Sequence, residues 1–155
     1  MSAINKELPS MTFKATEVEQ VEFPKDLLGK VTVLYFYPKD DTPGCTKQAC
    51  AYRDFQKELE GSKVQVFGVS MDDLGSHEDF KSKFSLNFPL IVDDTKALSE
   101  FLGVYGEQTW GDKKYMGLSR DSFLIDQKGV VVQEWRKVDP VASVDETLDA
   151  AKKLL

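Results

Sequence analysis

The run Val31-Thr-Val-Leu-Tyr-Phe-Tyr37, closed by Pro38 and followed by Thr42-Pro43-Gly44-Cys45, constrains this chain more than any other stretch. Its β-branched and aromatic side chains read as a buried strand. Thr42 suits a helix N-cap, Pro43 the first helical position and Cys45 the third, where the backbone N–H has no partner inside the helix. Ala49, Tyr52, Phe55 and Leu59 give that helix an apolar face and Gly61 a stop. Val64-Gln-Val-Phe-Gly-Val-Ser70 then reads as the next strand, so the segment is a βαβ unit with parallel strands. A chain built around such a unit is α/β.

The flanking sequence extends this pattern. Residues Met11 to Thr16 and Val18 to Phe23 read as a short hairpin, Ser76 to Phe84 as a helix, Phe88 to Val92 as a short strand, and Lys96 to Leu102 as a short helix ending at Gly103. Gly103 to Ser119 reads as a long irregular stretch whose Trp110, Tyr115 and Met116 would border a site or pin the loop to the core. A second hairpin, Ser122 to Asp126 and Val130 to Lys137 around Gln127-Lys128-Gly129, precedes a last helix. The capping box Ser143-Val-Asp-Glu146 opens that helix, and Val144, Leu148, Ala151 and Leu155 form its apolar face. All of residues 1–155 are expected to form one domain.

A net charge of −6 with scattered basic residues argues against a nucleic-acid partner. No apolar run approaches the ~20 residues of a membrane helix. The N-terminal residues lack a signal-peptide core, and the expected location is cytoplasmic. Two cysteines in a reducing compartment are more often catalytic, metal-bound or incidental than part of a structural disulfide. They make a poor closed zinc site with His77, the only histidine, which is expected on the surface in the first turn of a helix. That placement also leaves a Ser-His or Cys-His hydrolase only weakly supported.

At a helix N-terminus, unpaired amides and the helix dipole favour a thiolate, which makes Cys45 the candidate nucleophile. Five residues of helix would hold the Cα atoms of Cys45 and Cys50 roughly 8–9 Å apart. A disulfide tolerates only about 7 Å. Any bond between them would therefore need the first turns to unwind, which Pro43, Gly44 and Thr46 would permit. A thioredoxin-like disulfide oxidoreductase would carry Cys-x-x-Cys, whereas here four residues intervene.

The motif Pro38-x-x-x-Thr42-x-x-Cys45 resembles the peroxidatic signature of the peroxiredoxins. With Cys50 inside Tyr-Pro-Lys-Asp-Asp-Thr-Pro-Gly-Cys-Thr-Lys-Gln-Ala-Cys, it is similar to the peroxiredoxin Q branch, also called bacterioferritin comigratory protein. The likeness runs from about Leu8 to the C-terminus and returns at Gly117-Leu-Ser-Arg120-Asp-Ser-Phe-Leu-Ile-Asp126, where the family carries its active-site arginine. The resemblance implies a thioredoxin-like fold with peroxiredoxin additions, including the N-terminal hairpin and a central, mostly parallel or mixed sheet flanked by helices. It also implies reduction of hydrogen peroxide and organic hydroperoxides. Cys45 would become a sulfenic acid and Cys50 would condense with it to an intramolecular disulfide, recycled by thioredoxin or glutaredoxin. Thr42, Arg120 and the amides of Gly44 and Cys45 would donate along the reacting line, and Pro38 would wall the pocket. No metal, flavin or haem is implied. Resolution within one chain implies a monomer.

Departures from the family pattern are Gln48, where many members have a glutamate that helps hold the arginine, and Asp121, where Ser or Thr usually follows it. Arg53 and Asp54 resemble a pair found after the resolving cysteine, but an exposed helix face explains them equally and they are assigned no chemistry. A peroxide sensor would use the same residues as a scavenger.

Overall fold

The computed structural model describes residues 2–59 and 61–155. Its strands are β1 (Met11–Lys14), β2 (Gln20–Phe23), β3 (Val31–Phe36), β4 (Val64–Ser70), β5 (Leu90–Val92), β6 (Tyr105–Trp110), β7 (Lys113–Leu118), β8 (Ser122–Ile125) and β9 (Val131–Trp135). Its helices are α1 (Pro43–Leu59), α2 (Leu74–Phe84), α3 (Ala97–Phe101) and α4 (Ala142–Lys152). Five strands form a mixed sheet in the order β5-β4-β3-β8-β9. Strand β3 runs parallel to β4 and antiparallel to β8, so the strand that leads into α1 lies in the middle. β1–β2 and β6–β7 are separate antiparallel hairpins.

The two-residue period of β3 divides the core. Val31, Val33, Tyr35 and Tyr37 pack with Cys45, Ala49 and Tyr52 of α1, Phe80 of α2, and Val144 and Leu148 of α4. Leu34 and Phe36 face the other way, towards Phe13, Phe23, Leu98 and Leu118. A strand buried on both faces needs apolar residues at nearly every position, which is why it reads as a continuous run. Tyr35 lies across β4 where Gly68 leaves room: a Cβ there would sit 2.9 Å from the Tyr35 ring. The ring stacks on Tyr52 with centroids 4.6 Å apart, and the Tyr52 hydroxyl shares a 2.7 Å hydrogen bond with Thr147 of α4. Helix α1 is thus fixed to both sheet and neighbouring helix two residues after Cys50.

The structure corrects several expectations. Gly103 to Ser119 is the β6–β7 hairpin, with Trp110, Tyr115 and Met116 all exposed. Its glycines and polar residues hide the strand alternation because both faces are largely exposed, with only the end at Gly117 and Leu118 buried. Helix α4 opens without the capping box: Ser143 is a buried residue within it, and the Asp139 carboxylate accepts from the N–H groups of Val141 (3.0 Å) and Ala142 (2.8 Å). An Asp ahead of Pro140 supplies the cap earlier, and Ser143 is left to face α1. The helix expected from Ser76 starts at Leu74 with Asp73 as cap. Among the described residues no helix is long and apolar enough to cross a membrane.

Candidate active site

Beyond β3 the chain turns through Pro38 to Thr42 and enters α1 at Pro43. Gly44 and Cys45 are then its second and third residues, whose N–H groups have no carbonyl four residues back within the helix. Thr46 is the first to close such a bond, to the Thr42 carbonyl at 2.8 Å. The Thr42 hydroxyl donates to the Lys39 carbonyl at 2.9 Å, which braces the turn from inside. To donate to a bound peroxide that hydroxyl would first have to leave Lys39. Pro38 is half-buried at the mouth of the turn.

Cys45 is 2% exposed, with its sulfur against an aromatic floor that includes Tyr35 and Tyr37. Burial pushes both phenols well above their usual range, and the charge of Asp40 adds to the shift while Arg120 opposes it at Tyr35; the floor stays neutral. Arg120, between β7 and β8, reaches across so that Nη2 lies 3.4 Å from Cys45 Sγ and Nη1 donates to Gln48 Oε1 at 2.8 Å. Gln48 is fully buried and its amide also donates to Ser143 Oγ at 3.4 Å. A neutral amide therefore holds the guanidinium one turn along from the sulfur.

The backbone beneath Arg120 is braced from the segment that follows β9. The Val138 N–H donates to the Arg120 carbonyl, and buried Asp121 accepts from the Lys137 N–H (2.9 Å) and Arg136 (3.0 Å). Asp121, the residue after the arginine that departs from the family pattern, is thus an anchor for it. Gly44 allows the close approach. A Cβ on it would stand 3.0 Å from Arg120 Nη2 and 3.5 Å from Pro140. Gly44→Ala is expected to displace the guanidinium by a few tenths of an ångström and slow the reaction of Cys45 with peroxide roughly three- to tenfold, read by stopped-flow fluorescence.

Cys50 is half-buried further along α1, and both cysteines are free thiols. The helix is unbroken between them. Arg53 donates to the Phe84 carbonyl and pairs with Asp54 at 3.0 Å, so its contacts tie α1 to the end of α2.

His77 corrects the sequence expectation most sharply. It is fully buried, with Nδ1 2.6 Å from Asp40 Oδ2 and Nε2 2.9 Å from the Ile91 carbonyl. A lone histidine near a helix start carries no signal of depth; the partner to look for was Asp40 in the active-site turn.

Comparison with known proteins follows the same lines. The AhpC/TSA family pattern matches residues 4–134. A Coxiella burnetii protein named putative peroxiredoxin bcp is 42% identical over 135 residues, 87% of this chain and 89% of the relative. Bacillus subtilis peroxiredoxin Bcp is 40% identical over 151 residues, 97% of this chain and 96% of the relative. Among solved structures, Xanthomonas campestris bacterioferritin comigratory protein, described for alkyl peroxide reduction, superposes with a TM-score of 0.84 at 33% identity, covering 92% of this chain and 90% of that one. A cysteine-to-serine mutant of Xylella fastidiosa PrxQ gives 0.90 at 28% identity, covering 99% and 97%.

Proposed function

This chain belongs to the AhpC/TSA family, among its Bcp and peroxiredoxin Q members, and is a thiol-dependent peroxidase; from that premise we propose that Cys45 is the peroxidatic residue and Cys50 the resolving one. The observation that carries the assignment is the Arg120 guanidinium held 3.4 Å from Cys45 Sγ at the open end of α1.

The thiolate of Cys45 attacks one peroxide oxygen. An S–O bond forms as the O–O bond breaks, sulfur is oxidised by two electrons, and the departing oxygen takes the electron pair and then a proton. Charge moves from sulfur to oxygen, so donors already aimed at that line need not reorganise. In this reading Arg120, held beside the sulfur, and the N–H groups of Gly44 and Cys45 supply the donors, Thr42 joins by turning its hydroxyl, and Pro38 limits access of water. The Cys50 thiol then attacks the sulfenic sulfur, forms the disulfide and releases water. Two electrons and two protons from an external thiol restore both cysteines.

That donor is read as thioredoxin, with glutaredoxin as the other thiol source, because an intramolecular disulfide of adjacent turns is the substrate such dithiols reduce. A reducible catalytic disulfide also favours a cytoplasmic setting, resolution within one chain favours a monomer, and residues 1–155 are read as one domain. Fully reduced protein given one equivalent of hydrogen peroxide is expected to lose two thiols at a rate orders of magnitude above free cysteine, with a Cys45–Cys50 disulfide found by peptide mass spectrometry. A rate near that of free cysteine would refute the assignment.

A further inference from the structure

The turn between β3 and α1 is fastened to the body of the protein at Asp40. Asp40, 7% exposed, accepts at Oδ1 from the Tyr37 hydroxyl (2.6 Å) and at Oδ2 from the Ser76 hydroxyl (2.8 Å) and His77 Nδ1 (2.6 Å). Its N–H donates to Asp72 Oδ2, which also takes the Ser70 hydroxyl. His77 Nε2 reaches the Ile91 carbonyl on β5. The end of β3, the active-site turn, the end of β4, the start of α2 and β5 thus meet at this pair.

The ring has no hydrogen-bond donor to receive from. A carboxylate that already accepts from the Tyr37 and Ser76 hydroxyls and a backbone carbonyl are both acceptors, so the geometry assigns a proton to each nitrogen and the ring is read as an imidazolium. Although burial alone would depress it, the Asp40 hydrogen bond and charge, the Ile91 carbonyl and the charge of Asp72 together raise its pKa above the usual histidine value. Tyr37, with its ring centroid 6.4 Å away, also faces it. Asp40, Asp72 and His77 bring one ligand atom each within 4.8 Å of one another. With both nitrogens committed to acceptors, the cluster is an ion pair and not a cation site.

We propose that His77 is a positioning residue for peroxide reduction: as an imidazolium between Asp40 and Ile91, it fixes the turn at 37–42 and thereby the place of Thr42 and the first α1 amides around the Cys45 sulfur. The inference rests on the reading of Cys45 as the peroxidatic residue. The sign of its pH dependence follows from the raised value. The clamp is complete at low pH and is lost as pH rises through the folded-state pKa, when a ring lone pair comes to face an acceptor.

Because this is the only histidine, its ring signals in long-range proton–nitrogen NMR need no assignment. In reduced wild-type protein both nitrogens are expected to be protonated at neutral pH. The rate of reaction with hydrogen peroxide is expected to fall at alkaline pH with the midpoint of the ring titration. His77→Gln is expected to unfold cooperatively, to react roughly ten- to a hundredfold more slowly, and to lose the alkaline limb. A neutral ring at pH 7, a flat profile through its midpoint, or a folded His77→Gln protein with the wild-type rate would each overturn the proposal. Should His77→Gln not fold, the two wild-type measurements decide it alone. A wild-type protein no faster than free cysteine would instead sink the peroxidatic reading, and this inference with it.

Discussion

A Cys45→Ser protein is expected to consume no peroxide above background, a loss on the order of 10⁴-fold or more, whereas Cys50→Ser is expected to react once at close to the wild-type rate and then stop. The difference follows from where each sulfur sits. Cys45 has the guanidinium and the open helix end; Cys50 lies along α1, half-buried, with no charged group bonded to it among the described residues. Stopped-flow traces of the reduced proteins measure the first step, and turnover with thioredoxin and its reductase measures the second. In Cys50→Ser the product of the first step is expected to be a lasting sulfenic acid on Cys45, seen as one added oxygen on its peptide. Wild-type turnover by Cys50→Ser would mean that the external thiol attacks the sulfenic acid directly and that Cys50 is a packing residue.

The second large effect belongs to Arg120. Arg120→Met is expected to slow the first step by roughly 10²–10³-fold, the cost of removing one well-placed donor from a developing charge. Fold stability should fall as well, by about 1–3 kcal/mol, because buried Gln48 Oε1 loses its donor. Arg120→Lys is expected to recover only part of the rate. A single ammonium cannot serve Gln48 and the sulfur with the geometry of two guanidinium nitrogens. The measurement is the pseudo-first-order rate against peroxide concentration, with urea denaturation alongside to separate the rate loss from the stability loss. An Arg120→Met protein with the wild-type rate would leave the backbone amides as the whole of the oxyanion site.

The central βαβ unit was legible because β3 is buried on both sides and because Thr42-Pro43-Gly44 marks a helix start without needing tertiary information. Cys45, Cys50 and Arg120 were legible through two separated motifs that resemble one family. Other features depended on contacts between distant segments. Gln48 looked like a weakened version of a glutamate, yet burial and Ser143 give its neutral amide a fixed place. Ser143 itself was misread as a cap because the competing cap, Asp139, lies before a proline and outside the capping-box spacing. His77 was placed on the surface because nothing local reports that α2 packs against the active-site turn. The β6–β7 hairpin was missed for the opposite reason: with both faces largely exposed, its sequence carries no alternation to find.

Helix α1 is bolted by Tyr52, stacked on Tyr35 and bonded to Thr147, while both cysteines of the proposed reaction lie before that residue. Unwinding that begins at Pro43 can run past Cys50 and halt there, leaving the sheet and the rest of α1 intact. The protein therefore has two thermostats. One governs whether the chain is folded, and the other, set by the contacts of Cys45, Gln48 and Ala49 and by the turn that Asp40 holds, governs whether the site is assembled. A melting temperature reads only the first. The working lifetime of the reactive arrangement is written in the amide exchange of residues 46–51, and a variant could be a sturdier protein and a poorer catalyst by tightening the second without touching the first.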